Sequence, residues 1–148
     1  MPHRNSNPQQ QFNAVEELLT RWLKERRGLL GKYTEIVVTL DNVADGKGLQ
    51  QRQRALCQLL VDYVSAGHFE VFHELIAEAE SFGDGSGALA EKLMPAIGDT
   101  TEVIMAYEEK YSAEQDYPET LERDLSVLGE VLESRFVLED QLIAGLHN

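Results

Sequence analysis

Cysteine is almost missing from the sequence, which contains one, Cys57, among 148 residues. A lone cysteine forms no intramolecular disulfide, so we expect a fold that holds without cross-links, as is usual in a reducing compartment. Long apolar runs are also missing, because nowhere do about eighteen consecutive apolar residues occur, and no apolar run follows the first charges of MPHRNSNPQQQ. We therefore expect neither a membrane span nor a signal peptide, and predict a cytoplasmic protein with no membrane partner.

Basic residues are scarce in most of the chain, whose formal net charge is −13. Residues 1–56 contain nine Lys and Arg against six Asp and Glu, whereas residues 57–148 contain four against twenty. Nucleic-acid phosphates and anionic lipids are repelled by such a surface, so we expect no direct nucleic-acid binding. A basic protein, such as a DNA-binding domain, would be attracted. Because an acidic excess also serves solubility alone, charge predicts a class of partner without naming one.

The signatures of catalysis and of metal binding are incomplete in this chain. Glu70 and His73 have the Glu-x-x-His spacing of di-iron bundles, which need a second copy that this sequence lacks. Cys57 lies in an apolar run with no activating base nearby, and FGDGSG at residues 82–87 lacks the lysine of a phosphate-binding loop. We therefore predict no enzyme, no catalytic residue, no metal and no cofactor. A hemerythrin-like or ferritin-like metal protein is an alternative.

Apolar residues recur at three- and four-residue spacing through most of the sequence, and no segment alternates as a half-buried β-strand would. Asn13 has the position of an N-cap, with Glu16 at the third helical position, so a first helix is predicted from Asn13 to Leu40. The preceding residues are rich in Asn, Gln and Pro. We predict a flexible arm over residues 1–12 and a single domain over residues 13–148.

Helix breakers divide the rest of the sequence. Composition predicts loops at residues 41–48 and 82–87, and Gly67 is a candidate helix stop. Pro95 predicts a kink or a new helix start, and Pro118 the first turn of a last helix. The helical arms and short loops predict an all-α fold, an antiparallel four-helix-bundle-like domain with one or two extra short helices.

Charged residues lie on or beside the apolar stripes of three predicted helices. They are Arg26, Asp62, Arg135 and Glu139. Arg135 and Glu139 are four residues apart, a spacing that allows an ion pair on a helix. Because unpaired buried charges are costly, we expect these groups either to satisfy one another or to face a groove open to solvent. A network that fixes the bundle and a partner-binding groove thus remain alternatives. In the groove, Phe69 and Phe72 would be anchors unless they pack in the core.

Three stretches, RWLKERRGLL, LVDYVSAGHFE and RFVLEDQLI, resemble in order and spacing the Rsd/AlgQ family of bacterial regulators of the principal sigma factor. The resemblance extends from about Leu18 to Leu146, and DYVSAGHFE followed by an acidic helix and FGD is most similar to the AlgQ-like branch. It implies a helical bundle that binds region 4 of the sigma-70 class factor, a basic helix-turn-helix domain. Covering the contacts of region 4 with core RNA polymerase and the −35 promoter element would make the protein an anti-sigma factor.

The resemblance also implies which residues bind the partner. The family block LVD-Y-x-SAGHF matches residues 60–69, where Asp62 is expected to receive a basic or donor group of the sigma factor. Along the same face we expect Ser65, His68, Phe69 and Phe72. Further candidates, which would either contact sigma or hold the bundle, are Arg26, Leu30, Arg135 and Glu139. A general cytoplasmic adaptor for other proteins is a second alternative.

Overall fold

The structure, a computed structural model, describes residues 8–40, 46–82, 87–112 and 120–147. Nearly all of these residues lie in helices and none lies in a strand, as the sequence predicts. The helices are α1 (Pro8–Leu40), α2 (Gly46–Ala66), α3 (Phe72–Phe82), α4 (Gly87–Tyr111) and α5 (Leu121–Leu146). A π-helical turn, Gly67–Val71, joins α2 to α3 without a break. The chain thus forms four helical arms, which are α1, α2, α4 and α5. The short extra helix α3 continues the second arm.

Neighbouring arms run antiparallel. The indole N–H of Trp22 in α1 donates to the carbonyl of Tyr63 in α2 (3.2 Å), and Nε of Arg52 donates to Glu35 further along α1 (3.0 Å). Higher numbers in α1 therefore meet lower numbers in α2. The same order relates α4 to α5. The predicted all-α bundle is confirmed.

The core gathers around the indole of Trp22, which is 1% exposed. Its ring stacks on Tyr63, with centroids 4.7 Å apart, and meets the edge of Phe72 at 5.6 Å. Leu29 and Ile36 continue the buried stripe of α1 at seven-residue spacing. Each of these aliphatic side chains contributes about 1.5 to 3 kcal/mol by burial. The stripe that the sequence predicts for α1 is therefore the face that α1 presents to the bundle.

The first helix starts earlier than predicted, at Pro8. Proline fits the first turn of a helix because its missing N–H has no intrahelical acceptor there. Asn13 lies inside the helix and accepts a hydrogen bond from the Gln9 side chain (3.0 Å), so it is not the N-cap. Residues 8–12 therefore belong to α1, and the remainder of the predicted arm, residues 1–7, lies outside the described residues.

The later boundaries differ in detail from the predicted ones. One helix, α4, runs through Pro95, so the predicted new start is wrong. Both Pro95 and Glu91, one turn earlier, are exposed, so the helix surface that loses a backbone hydrogen bond faces water. The predicted loop over 41–48 is shorter, since α2 begins at Gly46. Of the second predicted loop, over 82–87, the end residues belong to α3 and α4, and residues 83–86 lie outside the described residues, as does the predicted helix start at Pro118.

Gly67 continues the helical arm, so the predicted stop at this residue is wrong. Ala66 before it and Phe72 after the π turn both have right-handed helical backbone angles (φ −62° and −65°). Glycine is needed here for contact, because a Cβ atom on Gly67 would lie 2.8 Å from Cζ2 of Trp22. The indole ring, held by its stack and its hydrogen bond, has no free end that could move aside.

We predict that Gly67→Ala destabilises the protein by about 1 to 3 kcal/mol, because the added methyl group overpacks the indole. The same substitution in an open helix stabilises by about 1 kcal/mol. Gly28→Ala is the matched control, because a Cβ on Gly28 meets nothing within 4 Å. Urea unfolding of both variants measures the effect, and equal stabilisation by the two substitutions would show that Trp22 does not restrict position 67.

Candidate partner-binding site

A buried carboxylate, Glu139, organises the polar groups between the arms. Nε of Arg135 donates to its Oε2 (2.7 Å) and Nη2 of Arg26 to its Oε1 (2.9 Å), which confirms the predicted ion pair. The Tyr63 hydroxyl also donates to Oε1. Burial raises the pKa of Glu139, whereas Arg135, Tyr63 and Arg26 oppose that rise. Glu139 and Arg135 are 0% and 1% exposed, so they do not reach a partner in this conformation.

The two arginines extend this network in opposite directions. Nη1 of Arg135 donates to the Thr101 hydroxyl in α4 (2.7 Å). Nη1 of Arg26 donates to Asp140 (2.8 Å), and the Arg26 guanidinium lies 4.7 Å from the ring centroid of Phe136. Side chains from all four arms therefore meet in one cluster. For Arg26, Arg135 and Glu139 the structure thus shows the first of the two alternatives, a network that connects the helices of the bundle.

Asp62 lies apart from that network, so of the two alternatives, mutual pairing does not hold for this residue. Asp62 is exposed and accepts a hydrogen bond from Gln58, one turn earlier on α2 (3.0 Å). Asp62 and Glu70 of the π turn are both electrostatic neighbours of Glu25 on α1. Burial raises the pKa of Glu25, as do Asp62 and Glu70, and Arg21 lowers it. We call Glu25, Asp62 and Glu70 the acidic patch.

A groove of about 320 Å³ lies between the π turn and α4. Among the residues that line it are Ser65, His68, Phe69, Phe72, Met94, Ile97, Thr101 and Arg135. The structure therefore brings five of the predicted site residues together: Ser65, His68, Phe69, Phe72 and Arg135. Leu30, which is 38% exposed on α1, does not line the groove.

The two phenylalanines of the groove have opposite surroundings. Phe72 is 2% exposed and packs against Trp22, so it forms a wall of the groove from within the core. Phe69 is 74% exposed and touches only the edge of the His68 ring among the ring contacts that the structure describes (4.8 Å). Phe69 is thus a large apolar side chain presented to solvent, whereas Phe72 packs in the core, which the sequence left open as the alternative to an anchor.

The π turn explains why three successive side chains, His68, Phe69 and Glu70, are all exposed. A π turn adds one residue to a helical turn and shifts the faces of the helix that follows, and such turns are frequent at functional sites. Sequence analysis missed Glu25 and Glu70 as members of the site, because no spacing within one helix connects α1 with the π turn. In the sequence, Glu70 is distinguished only by its Glu-x-x-His spacing to His73.

A metal-binding alternative finds no donor set in the described part of the chain. No group of three or more His, Cys, Asp and Glu side chains there could hold a metal ion. Glu70 and His73 are both exposed.

None of the described helices is long and apolar enough to cross a membrane.

Comparison with known proteins identifies a family that matches almost the whole chain. Residues 1–147 match the model of a family described as regulator of RNA polymerase sigma(70) subunit, Rsd/AlgQ. Among similar proteins is the regulator of sigma D of Yersinia enterocolitica, 34% identical over 90% of this chain and 83% of that protein. The regulator of sigma D of Salmonella arizonae is 37% identical over 93% of this chain and 86% of that protein. Closer similarity to the AlgQ-like branch stays a prediction.

We predict that Glu139→Gln destabilises the protein by about 3 to 5 kcal/mol, because two guanidinium groups lose their buried counter-charge. Asp140→Asn is the matched control: it removes the neighbouring carboxylate, also bound to Arg26, but that side chain is 61% exposed. The control should change stability by less than about 1 kcal/mol. Denaturant unfolding compares the two, and similar losses in both variants would contradict a central role for Glu139.

Proposed function

The chain belongs to the Rsd/AlgQ family, and on that premise we propose that it binds region 4 of the sigma-70 class factor. Region 4 would lie on the surface formed by the groove, Phe69 and the acidic patch. Bound there, it would be withheld from core RNA polymerase and from the −35 promoter element. The protein then acts in the cytoplasm as an anti-sigma factor by occlusion, and it needs no catalytic group.

One observation carries this proposal: the exposed Phe69 lines an apolar groove, and the next residue in the chain, Glu70, belongs to the acidic patch. Aromatic side chains at the centre of an interface commonly supply a large part of the binding energy once water is excluded around them. The groove offers apolar surface from Val64, Phe72, Met94 and Ile97 on one side of the π turn. Asp62 and its acidic neighbours lie near the same turn. A partner with an apolar contact flanked by basic residues fits this surface.

The acidic patch supplies the electrostatic half of the proposal. Asp62 and Glu70 each repel the charged form of Glu25, and together with burial they raise the pKa of Glu25. A guanidinium or ammonium group from a partner would relieve this repulsion. The net charge of −13 adds long-range attraction for a basic domain and speeds its association. We propose Asp62, which is exposed and accepts a hydrogen bond from Gln58 of its own helix, as the acceptor for such a group.

The buried residues of the site support this surface from behind. Arg135 lines the groove and connects α5 to Thr101 of α4. Arg26 and Glu139 hold Tyr63 of α2, the helix that leads into the π turn. We therefore propose that Arg26, Arg135 and Glu139 position the binding surface, and that Leu30 would contact region 4 only if the partner extends along α1 beyond Glu25.

We predict that Phe69→Ala and Asp62→Ala each weaken binding to isolated region 4 by about 2 kcal/mol, as expected for central interface residues. Both side chains are exposed, so melting of the variants should stay near wild type. Calorimetric titration measures the affinity, with Glu133→Ala on the exposed face of α5 as the control. Phe72→Ala is unsuitable because this side chain is part of the core.

Normal binding by both folded variants would refute the proposed surface. Absence of binding by the wild-type protein would refute the proposed partner, and a pull-down without added sigma factor would then test the adaptor alternative. Loss of binding in Glu133→Ala as well would mean that affinity depends on total charge and not on the acidic patch.

We predict that the affinity for region 4 falls as salt rises from about 0.05 to 0.5 M, because the Debye length shortens from well above 10 Å to a few ångströms. In Asp62→Ala this dependence should be weaker than in the wild type, since one attracting charge is gone. Titrations at four salt concentrations give the two slopes. Salt-independent binding of the wild type would indicate an apolar interface without a role for the acidic patch.

A further inference from the structure

His147, which follows α5, is held between carboxylates of two other helices. Its Nδ1 lies 2.7 Å from Oε1 of Glu78 in α3, and its Nε2 lies 2.6 Å from Oε1 of Glu16 in α1. The imidazole stacks on Phe12 with centroids 4.0 Å apart and planes 16° apart. Only 5% of the side chain is exposed. This contact joins the end of the last helix to the beginning of the first.

The geometry identifies the protonation state of the ring. A neutral imidazole carries one N–H, so it can donate to one carboxylate only and would place a lone pair against the other. With both carboxylates ionised, two contacts this short, one at each nitrogen, require the imidazolium form with two donors. Glu78 is fully buried, and its Oε2 accepts no hydrogen bond from the described residues. A neutral His147 would leave this carboxylate buried without a counter-charge, which is strongly unfavourable.

We propose that His147 is a pH-sensitive latch: protonated, it fastens the end of α5 and the start of α1 to α3, and deprotonated, it releases them. The charged groups that face the ring are Glu78 from α3 and Glu16 from α1. From α4, the apolar Leu89 packs close to Gly145, where a Cβ would lie 2.0 Å from Leu89 Cδ2. No basic side chain of the described residues competes for either carboxylate.

The direction of the pH dependence follows from the surroundings of the ring. Burial lowers the pKa of His147, but the hydrogen bonds and charges of Glu78 and Glu16 outweigh it and raise the pKa above its ordinary value. The pKa of His147 is thus higher when the contact is closed than when it is open. The latch therefore contributes its full stabilisation below about pH 6.5, the pKa of a free histidine. This stabilisation is lost as the pH rises through the pKa that His147 has in the folded state. This latch does not depend on the proposed function.

Amide hydrogen exchange of the full chain between about pH 6 and pH 9, corrected for intrinsic exchange rates, tests the latch. We expect opening of residues 12–16 and 143–147 to increase by up to about tenfold per pH unit between the open-state and folded-state pKa values. His147→Gln should be open to the same extent at every pH. His73→Gln, which removes an exposed histidine, should keep the wild-type dependence.

Ring-proton chemical shifts provide a second readout that needs no variant. The His147 ring should titrate at a higher pH than the histidine of an unfolded peptide with the same C-terminal sequence. Titration at or below the peptide value would overturn the proposal, as would corrected exchange that does not change with pH in the wild type. Persistence of the full pH dependence in His147→Gln would assign it to another group and equally overturn the latch.

Discussion

The arrangement of the four arms depends on one buried carboxylate. Glu139 accepts hydrogen bonds from Arg135 on its own helix, from Arg26 on α1 and from Tyr63 on α2. Arg135 in turn donates to Thr101 on α4. Removing two arginines and a carboxylate from water is expensive, so the cluster is favourable only when every member keeps its partners. Its geometry therefore favours one relative placement of the helices over others that an apolar core alone would tolerate.

This constraint reaches the surface through a short chain of contacts. Tyr63 is hydrogen-bonded to Glu139 and Arg26, and its ring stacks on the indole of Trp22. The indole lies against Gly67, at the first residue of the π turn. The turn presents Phe69 to solvent and contributes Glu70 to the acidic patch, while Arg135 lines the groove itself. The sequence offered a polar network that fixes the bundle and a partner-binding groove as alternatives, but in the structure the network contacts the surface that we propose for the partner.

Sequence reasoning succeeded where the signal lies within one helix. Helical periodicity predicted the four arms, and the four-residue spacing predicted the Arg135 and Glu139 pair. It failed where contacts between helices decide: Gly67 is required by an indole 45 positions earlier, and nothing in its neighbourhood distinguishes that need from a helix stop. Asp62 lies on the apolar line of α2 by periodicity, yet it faces solvent at the edge of that line. The burial of Phe72 and the exposure of Phe69 likewise follow from the π turn, which has no recognisable sequence pattern.

Methionine methyl groups offer the most direct test of the binding surface. The chain contains three methionines, of which Met94 lines the groove and Met105 lies eleven residues further along α4, about 16 Å away. In a titration of methyl-labelled protein with unlabelled region 4, the account predicts a saturable shift of the Met94 signal and an unchanged Met105 signal. A shift of Met105 with an unchanged Met94, or no shift of either, would contradict binding of region 4 at this groove.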